Sequence, residues 1–108
     1  MMNTVRILIR RLIPLALTFC LLSCQTVPAP IEEYTLARAA LDAARNVQAS
    51  RHSPGFWNQA DQAYRQGQER YRDHNWSKAK DEFTKARIAA EKAENSARLI
   101  RQKTGEVL

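Results

Sequence analysis

The chain has 108 residues, 44% of them hydrophobic and 26% charged, and carries +6 at neutral pH. That composition excludes a collagen-like or acidic disordered chain, and the length allows one small domain, with little room for the deep, doubly supported pocket of an ordinary enzyme. Arg6, Arg10 and Arg11 carry half of the excess charge; without them 14 Lys and Arg face 11 Asp and Glu, a balance of +3 that gives no footprint for nucleic acid.

Those three arginines precede an apolar run from Leu12 to Leu22, interrupted by Pro14 and Thr18. A membrane span needs about 20 apolar residues, and this run is roughly half as long, so it reads as an export signal and not as a permanent span. It ends in Leu21-Leu22-Ser23-Cys24, which resembles the lipobox of bacterial lipoproteins. A thiol is the best side-chain nucleophile for making a thioether to a lipid glyceryl group, and a small residue such as Ser23 suits a narrow peptidase subsite. The resemblance implies cleavage between Ser23 and Cys24, loss of residues 1–23, and acyl chains on the sulfur and new amino group of Cys24. Each buried methylene contributes ~0.8 kcal/mol, so two or three chains make a lasting anchor where one would be marginal. Gln25 follows in place of Asp, which by the same resemblance favours the outer membrane, facing the periplasm, over the inner membrane. With Cys20 in the signal and Cys24 acylated, no disulfide is expected, and apolar burial must hold the fold together.

Residues 24–30 form the lipidated cysteine and a tether, in which Pro28 and Pro30 favour extended backbone. From Ile31 to Leu108 the pattern is helical. Tyr34, Ala37, Leu41 and Ala44 recur in steps of three and four, as do Trp57, Ala60, Tyr64, Gly67 and Tyr71. The longest stripe runs through Trp76, Ala79, Phe83, Ala86, Ala90, Ala93, Ala97 and Ile100. Steps averaging 3.5 residues put each set on one face and predict an all-α fold, a three-helix antiparallel bundle or hairpin. Ser53-Pro54 marks a helix start, Asp73-His74-Asn75 a reversing turn, and Gly105 a stop. The predicted helices are therefore 31–50, 54–72 and 76–103. Exposed pairs at i, i+4 (Asp61 with Arg65, Asp81 with Lys85, Glu94 with Arg98) each add tenths of a kcal/mol.

Gly67 followed by Trp76-x2-Ala79-x3-Phe83-x2-Ala86 resembles the second half of a tetratricopeptide repeat, although no Trp-Leu-Gly run opens the first helix and no proline closes the second. Over its whole mature length the chain is similar to small helical envelope lipoproteins classed as a domain of unknown function, some of them associated with OmpA-like cell-wall-binding domains. That resemblance implies an envelope location and supplies no activity.

Candidate sites are few. His52 and His74 stand beside predicted turns with no second ligand at helical spacing, so neither a metal nor any other cofactor is expected. Glu32 with Glu33, and Asp81 with Glu82, are adjacent and diverge by about 100° on a helix, which suits dipole complementation better than acid–base work. Lys78, Lys85 and Lys92 recur every seven residues beside a second stripe of Lys80, Arg87 and Arg101. They mark a candidate surface for an anionic polymer or headgroup, diluted by interspersed acids. Trp57, Trp76, Tyr64, Tyr71 and Phe83 lie on the core stripe and are assigned to packing. The half-helix from Ala89 to Arg101 outruns the second helix; unless the first helix covers it, its alanines, with Leu99 and Ile100, form a docking or self-association surface.

The expectation is a non-enzymatic envelope lipoprotein, anchored to the bilayer through acylated Cys24, whose helices bind an envelope protein or cell-wall partner and no nucleic acid. A self-associating coiled-coil lipoprotein and a binder of anionic envelope polymer are the alternatives.

Overall fold

The computed structural model describes residues 1–21 and 27–105, and among them the regular structure is helical throughout. Helix α1 spans Met2–Leu21 and packs against none of the other helices. Its apolar side chains, including Ile7, Leu8, Leu12 and Leu15, stay exposed. No helix among the described residues is long and apolar enough to cross a membrane.

The packed domain consists of α2 (Ile31–Asn46), a single turn α3 (Ala49–His52), α4 (Pro54–Arg72) and α5 (Trp76–Lys103). The helix predicted over 31–50 is therefore two. Gln48 takes a left-handed backbone (φ 59°) and its N–H donates to the Arg45 carbonyl at 3.0 Å, ending α2 before α3 begins. The predicted bounds 54–72 and 76–103 coincide with α4 and α5. Ser53 and Pro54 occupy the N-cap and first position of α4 as expected, but no side-chain cap hydrogen bond is made there.

The reversal from α4 to α5 is a helix-terminating motif followed at once by a cap. The His74 N–H donates to the Tyr71 carbonyl at 3.1 Å and the Asn75 N–H to that of Arg70 at 2.9 Å, the paired bonds of a Schellman ending with His74 left-handed (φ 58°). Asn75 then caps α5, its side chain accepting from the Lys78 N–H at 3.4 Å. Gly105, at φ 75°, follows the end of α5.

Three clusters stack along α5, which at 28 residues is about 42 Å long. The first joins Ala37, Ala63, Ala79, Phe83 and Ala86, with Tyr34, Tyr64 and Tyr71 against it. The second joins Leu41, Ala60, Ala89 and Ala90, and the third Ala44, Val47, Ala49, Ala93 and Ala97, with Trp57 packed on both. Positions on α2 and α5 rise together through these layers while those on α4 fall, so α2 runs parallel to α5 and antiparallel to α4. Among the three longer helices of the domain, contact is most extensive between α4 and α5 and least between α2 and α4. The long helix is thus a spine, with the other two laid along it.

Among the described residues the buried aliphatic and aromatic side chains are all alanine except Leu41, Val47 and Phe83. Alanine lets helix backbones approach closely and has no side-chain entropy to lose, whereas the tyrosine and tryptophan rings stay half-buried at the margins. The third cluster also settles the alanine stripe of α5: the end of α2, Val47 and the α3 turn cover Ala93 and Ala97, both fully buried. It is not an open docking surface, and only Leu99, 59% exposed, projects from that end among the apolar residues singled out, Ile100 being half-buried.

Candidate functional site

Ser23 and Cys24, the cleavage and lipidation residues expected from the sequence, lie outside the described residues. The candidate partner surface lies within them. Lys78, Lys85 and Lys92 are all exposed along α5, as the seven-residue spacing requires. Lys85 and Lys92 line one wall of a shallow groove of about 420 Å³ between α4 and α5, with Glu82 and Ile88; Gln59, Gln62 and Gln66 form the opposite wall. The Lys85 ammonium donates to Glu82 at 3.1 Å and not to Asp81, because the i, i+3 carboxylate lies on the groove side of the helix. The field of the lysine face is therefore partly neutralised at its centre. Ile88, 42% exposed, is the apolar patch between the two lysines. The three glutamines were not singled out from sequence. Their spacing of three and four places them on one face of α4, but amide side chains at such positions are usual on any solvated helix.

Two members of the neighbouring cationic stripe, Lys80 and Arg87, are taken up in ion pairs. Lys80 reaches Glu33 at 3.3 Å, tying α5 to α2, and Arg87 reaches Glu91 at 2.9 Å. The expected pairs of Asp61 with Arg65 (3.0 Å) and Glu94 with Arg98 (2.9 Å) are formed. Being exposed at one or both partners, these pairs steer and solubilise more than they stabilise. Glu32 and Glu33 occupy the first turn of α2, where a helix dipole favours carboxylates.

A second groove, between α2 and α4, follows from the slight contact between those helices. Arg38, Asp42 and Arg45 face Asp61 and Arg65 across it, with Leu41 and Tyr64 below. Arg45 pairs with Asp42 at 2.8 Å and its guanidinium lies 5.6 Å from the Trp57 ring centre. Opposite charges alternate along this groove, so it presents no single-sign field.

Of the aromatic residues assigned to the core, Phe83, Tyr64 and Tyr71 pack in the first cluster and Trp57 on the other two, while Trp76 lies at the α4–α5 turn against Tyr71. Tyr34 stacks on Tyr64 with ring centres 6.1 Å apart and meets Phe83 edge-on at 5.4 Å. Tyr71 lies 6.4 Å from Tyr34 and 4.9 Å from Trp76, and Trp76 in turn meets His74 at 5.1 Å. Burial, reinforced by a hydrogen bond and the negative charge of an ionised Tyr34, pushes the Tyr64 hydroxyl up to about 12. Raising a phenol pKa keeps it neutral at any physiological pH, so this is packing chemistry. His74 is thus a left-handed turn residue whose ring meets Trp76 edge-on. Among the described residues, no group of three or more His, Cys, Asp and Glu could hold a metal ion.

Residues 32–107 match a family model described as a domain of unknown function, DUF4398, and the chain belongs to that family. The matched region covers α2 to α5 from the second residue of α2 and leaves out α1. No curated protein and no solved structure matches the chain.

Proposed function

We propose that this member of the DUF4398 family is a non-enzymatic lipoprotein of the bacterial envelope. In this reading acyl chains on Cys24 hold it in the outer membrane, on the periplasmic side, and the α2–α5 domain is an interaction module for an envelope protein or for the cell wall. One observation carries the reading: among the described residues α1, which holds the basic residues and most of the apolar run of the leader, packs against no other helix. Loss of α1 would therefore cost the α2–α5 domain none of those helix contacts, as a cleaved signal requires. The surfaces left to the domain are shallow grooves walled by amides, alkyl chains and paired charges, which suit binding. The glycine of α4 set against an aromatic ring of α5 supports treating that hairpin as tetratricopeptide-like.

Intact mass and membrane fractionation of the expressed precursor test the anchor. Wild type should lose residues 1–23, gain acyl mass and sediment with membranes; Cys24→Ser should do none of these. An unacylated wild type released in soluble form would end the anchor reading.

A second reading, retention of an anionic envelope polymer, is favoured by the exposure of Lys78, Lys85 and Lys92 along one face. Reversing all three to Glu should abolish co-sedimentation of the anchored protein with peptidoglycan without releasing it from the membrane. Undiminished co-sedimentation would remove the polymer.

A further inference from the structure

The chain enters the domain at one particular end. Pro30 is buried, the Ile31 N–H donates to the Ala29 carbonyl at 2.9 Å, and the Tyr34 N–H donates to that of Pro30 at 3.1 Å. The last two tether residues are therefore tied to the start of α2. The five residue steps from Cys24 to Ala29 reach at most about 18 Å even fully extended.

That same end collects side chains suited to a lipid interface. Ile31 is 64% exposed. It borders an apolar groove of about 460 Å³ lined by Tyr34, Gln68, Tyr71, Arg72 and Phe83. The ring contacts continue from Tyr34 through Tyr71 to Trp76 at the α4–α5 turn. Tyr and Trp combine an apolar ring with a polar tip and settle at headgroup depth, while Arg can lay its alkyl stem on apolar surface and keep its charge in water. Trp57, packed on the clusters that contain Ala90 and Ala93, lies about 20–25 Å further along α5 at 1.5 Å per residue.

We propose that the end of the domain formed by the start of α2 and the α4–α5 turn rests on the phospholipid interface, with Ile31, Tyr71 and Trp76 at headgroup depth and α5 rising from the membrane. The proposal rests on the acylated Cys24 reading and adds an orientation to it. Glu69 and Asp73 are interspersed with Arg70, Arg72 and Lys78 at this end, so the contact is carried by ring and alkyl burial and not by net charge. It should therefore form on zwitterionic phosphatidylcholine and survive high salt.

The two tryptophans make the test. Full-length precursor is processed in cells, and the acylated products of Trp57→Phe and Trp76→Phe are reconstituted in phosphatidylcholine vesicles with acyl chains brominated near the glycerol end. The Trp57→Phe protein, which reports Trp76, should lose most of its emission; the Trp76→Phe protein, which reports Trp57, should lose little. Should either variant lose helicity by circular dichroism, a fluorophore on Ile31→Cys, at an exposed position, replaces it and should shift to the blue on the same vesicles. Acyl mass with no quenching of Trp76, or with equal quenching of both, overturns the orientation and leaves the anchor standing. Absence of acyl mass overturns the anchor and the orientation together. Shielding of Trp76 from iodide that grows with protein concentration, without bromine quenching, would overturn the lipid in favour of a second copy of the chain.

Discussion

Phe83→Ala is expected to remove about 3–5 kcal/mol of stability, the usual range for deleting a buried aromatic ring. In a domain of this size that corresponds to a fall in Tm on the order of 20 °C. Phe83 is the largest fully buried side chain among the described residues, and its ring touches elements that otherwise have small contacts to offer. Tyr34 from α2 meets it edge-on at 5.4 Å and Tyr64 from α4 lies at 5.8 Å. The alanines around it, Ala37, Ala63, Ala79 and Ala86, cannot reach into the space its loss would leave. Helices already close along an alanine-lined contact have little further to move, so a cavity should persist and its cost with it. Urea unfolding followed by helical circular dichroism gives the number directly. A loss below about 1 kcal/mol would mean that the site collapses freely, contrary to the packing described.

The dominance of alanine in the core also explains which parts of the structure the residues announced beforehand. The bounds of α4 and α5 could be read because each is marked chemically: Ser53-Pro54 at one start, Asp73-His74-Asn75 at the reversal, Gly105 at the end. The break in the first predicted helix has no such mark. Gln48 takes the left-handed conformation that glycine or asparagine would have signalled, and Ala49 to His52 resume a helical pattern at once. That break decides the fate of the α5 stripe, since Val47 and Ala49 are buried against Ala93 and Ala97. Helix lengths alone left open whether the first predicted helix covers those alanines, and it is the end of α2 with the α3 turn that does. Which helix covers which stripe was likewise beyond the pattern, because a heptad-like stripe identifies a buried face without naming its partner. For the candidate surface, the exposure of Lys78, Lys85 and Lys92 followed from spacing. The glutamine wall opposite depended on which face of α4 lies away from α2, and that only packing reveals.

Gly67→Ala should destabilise the domain by about 1–3 kcal/mol, against the sign that helix propensity alone would give. In an exposed helix the change gains about 0.5–1 kcal/mol, because glycine loses more backbone freedom on folding. Gly67 is buried in α4, and a Cβ there would lie 2.7 Å from both Cδ1 and Cε1 of Phe83. The obstacle is a fully buried ring held by Tyr34 and Tyr64, so relief requires α4 to move off α5 or the ring to leave its rotamer. Both responses weaken the most extensive contact in the domain, that between α4 and α5. A double-mutant cycle isolates the cause. In a Phe83→Leu background the flat ring is gone and a flexible, smaller side chain faces position 67, so adding Gly67→Ala should cost far less than it does in wild type, or stabilise. The coupling between the two positions should then exceed the few tenths of a kcal/mol seen for independent sites. Additive effects would show that Gly67 serves some end other than admitting the ring, whereas strong coupling would make the glycine and the aromatic one device: a missing side chain on one helix that lets the single large core residue of the other lie flat against its backbone.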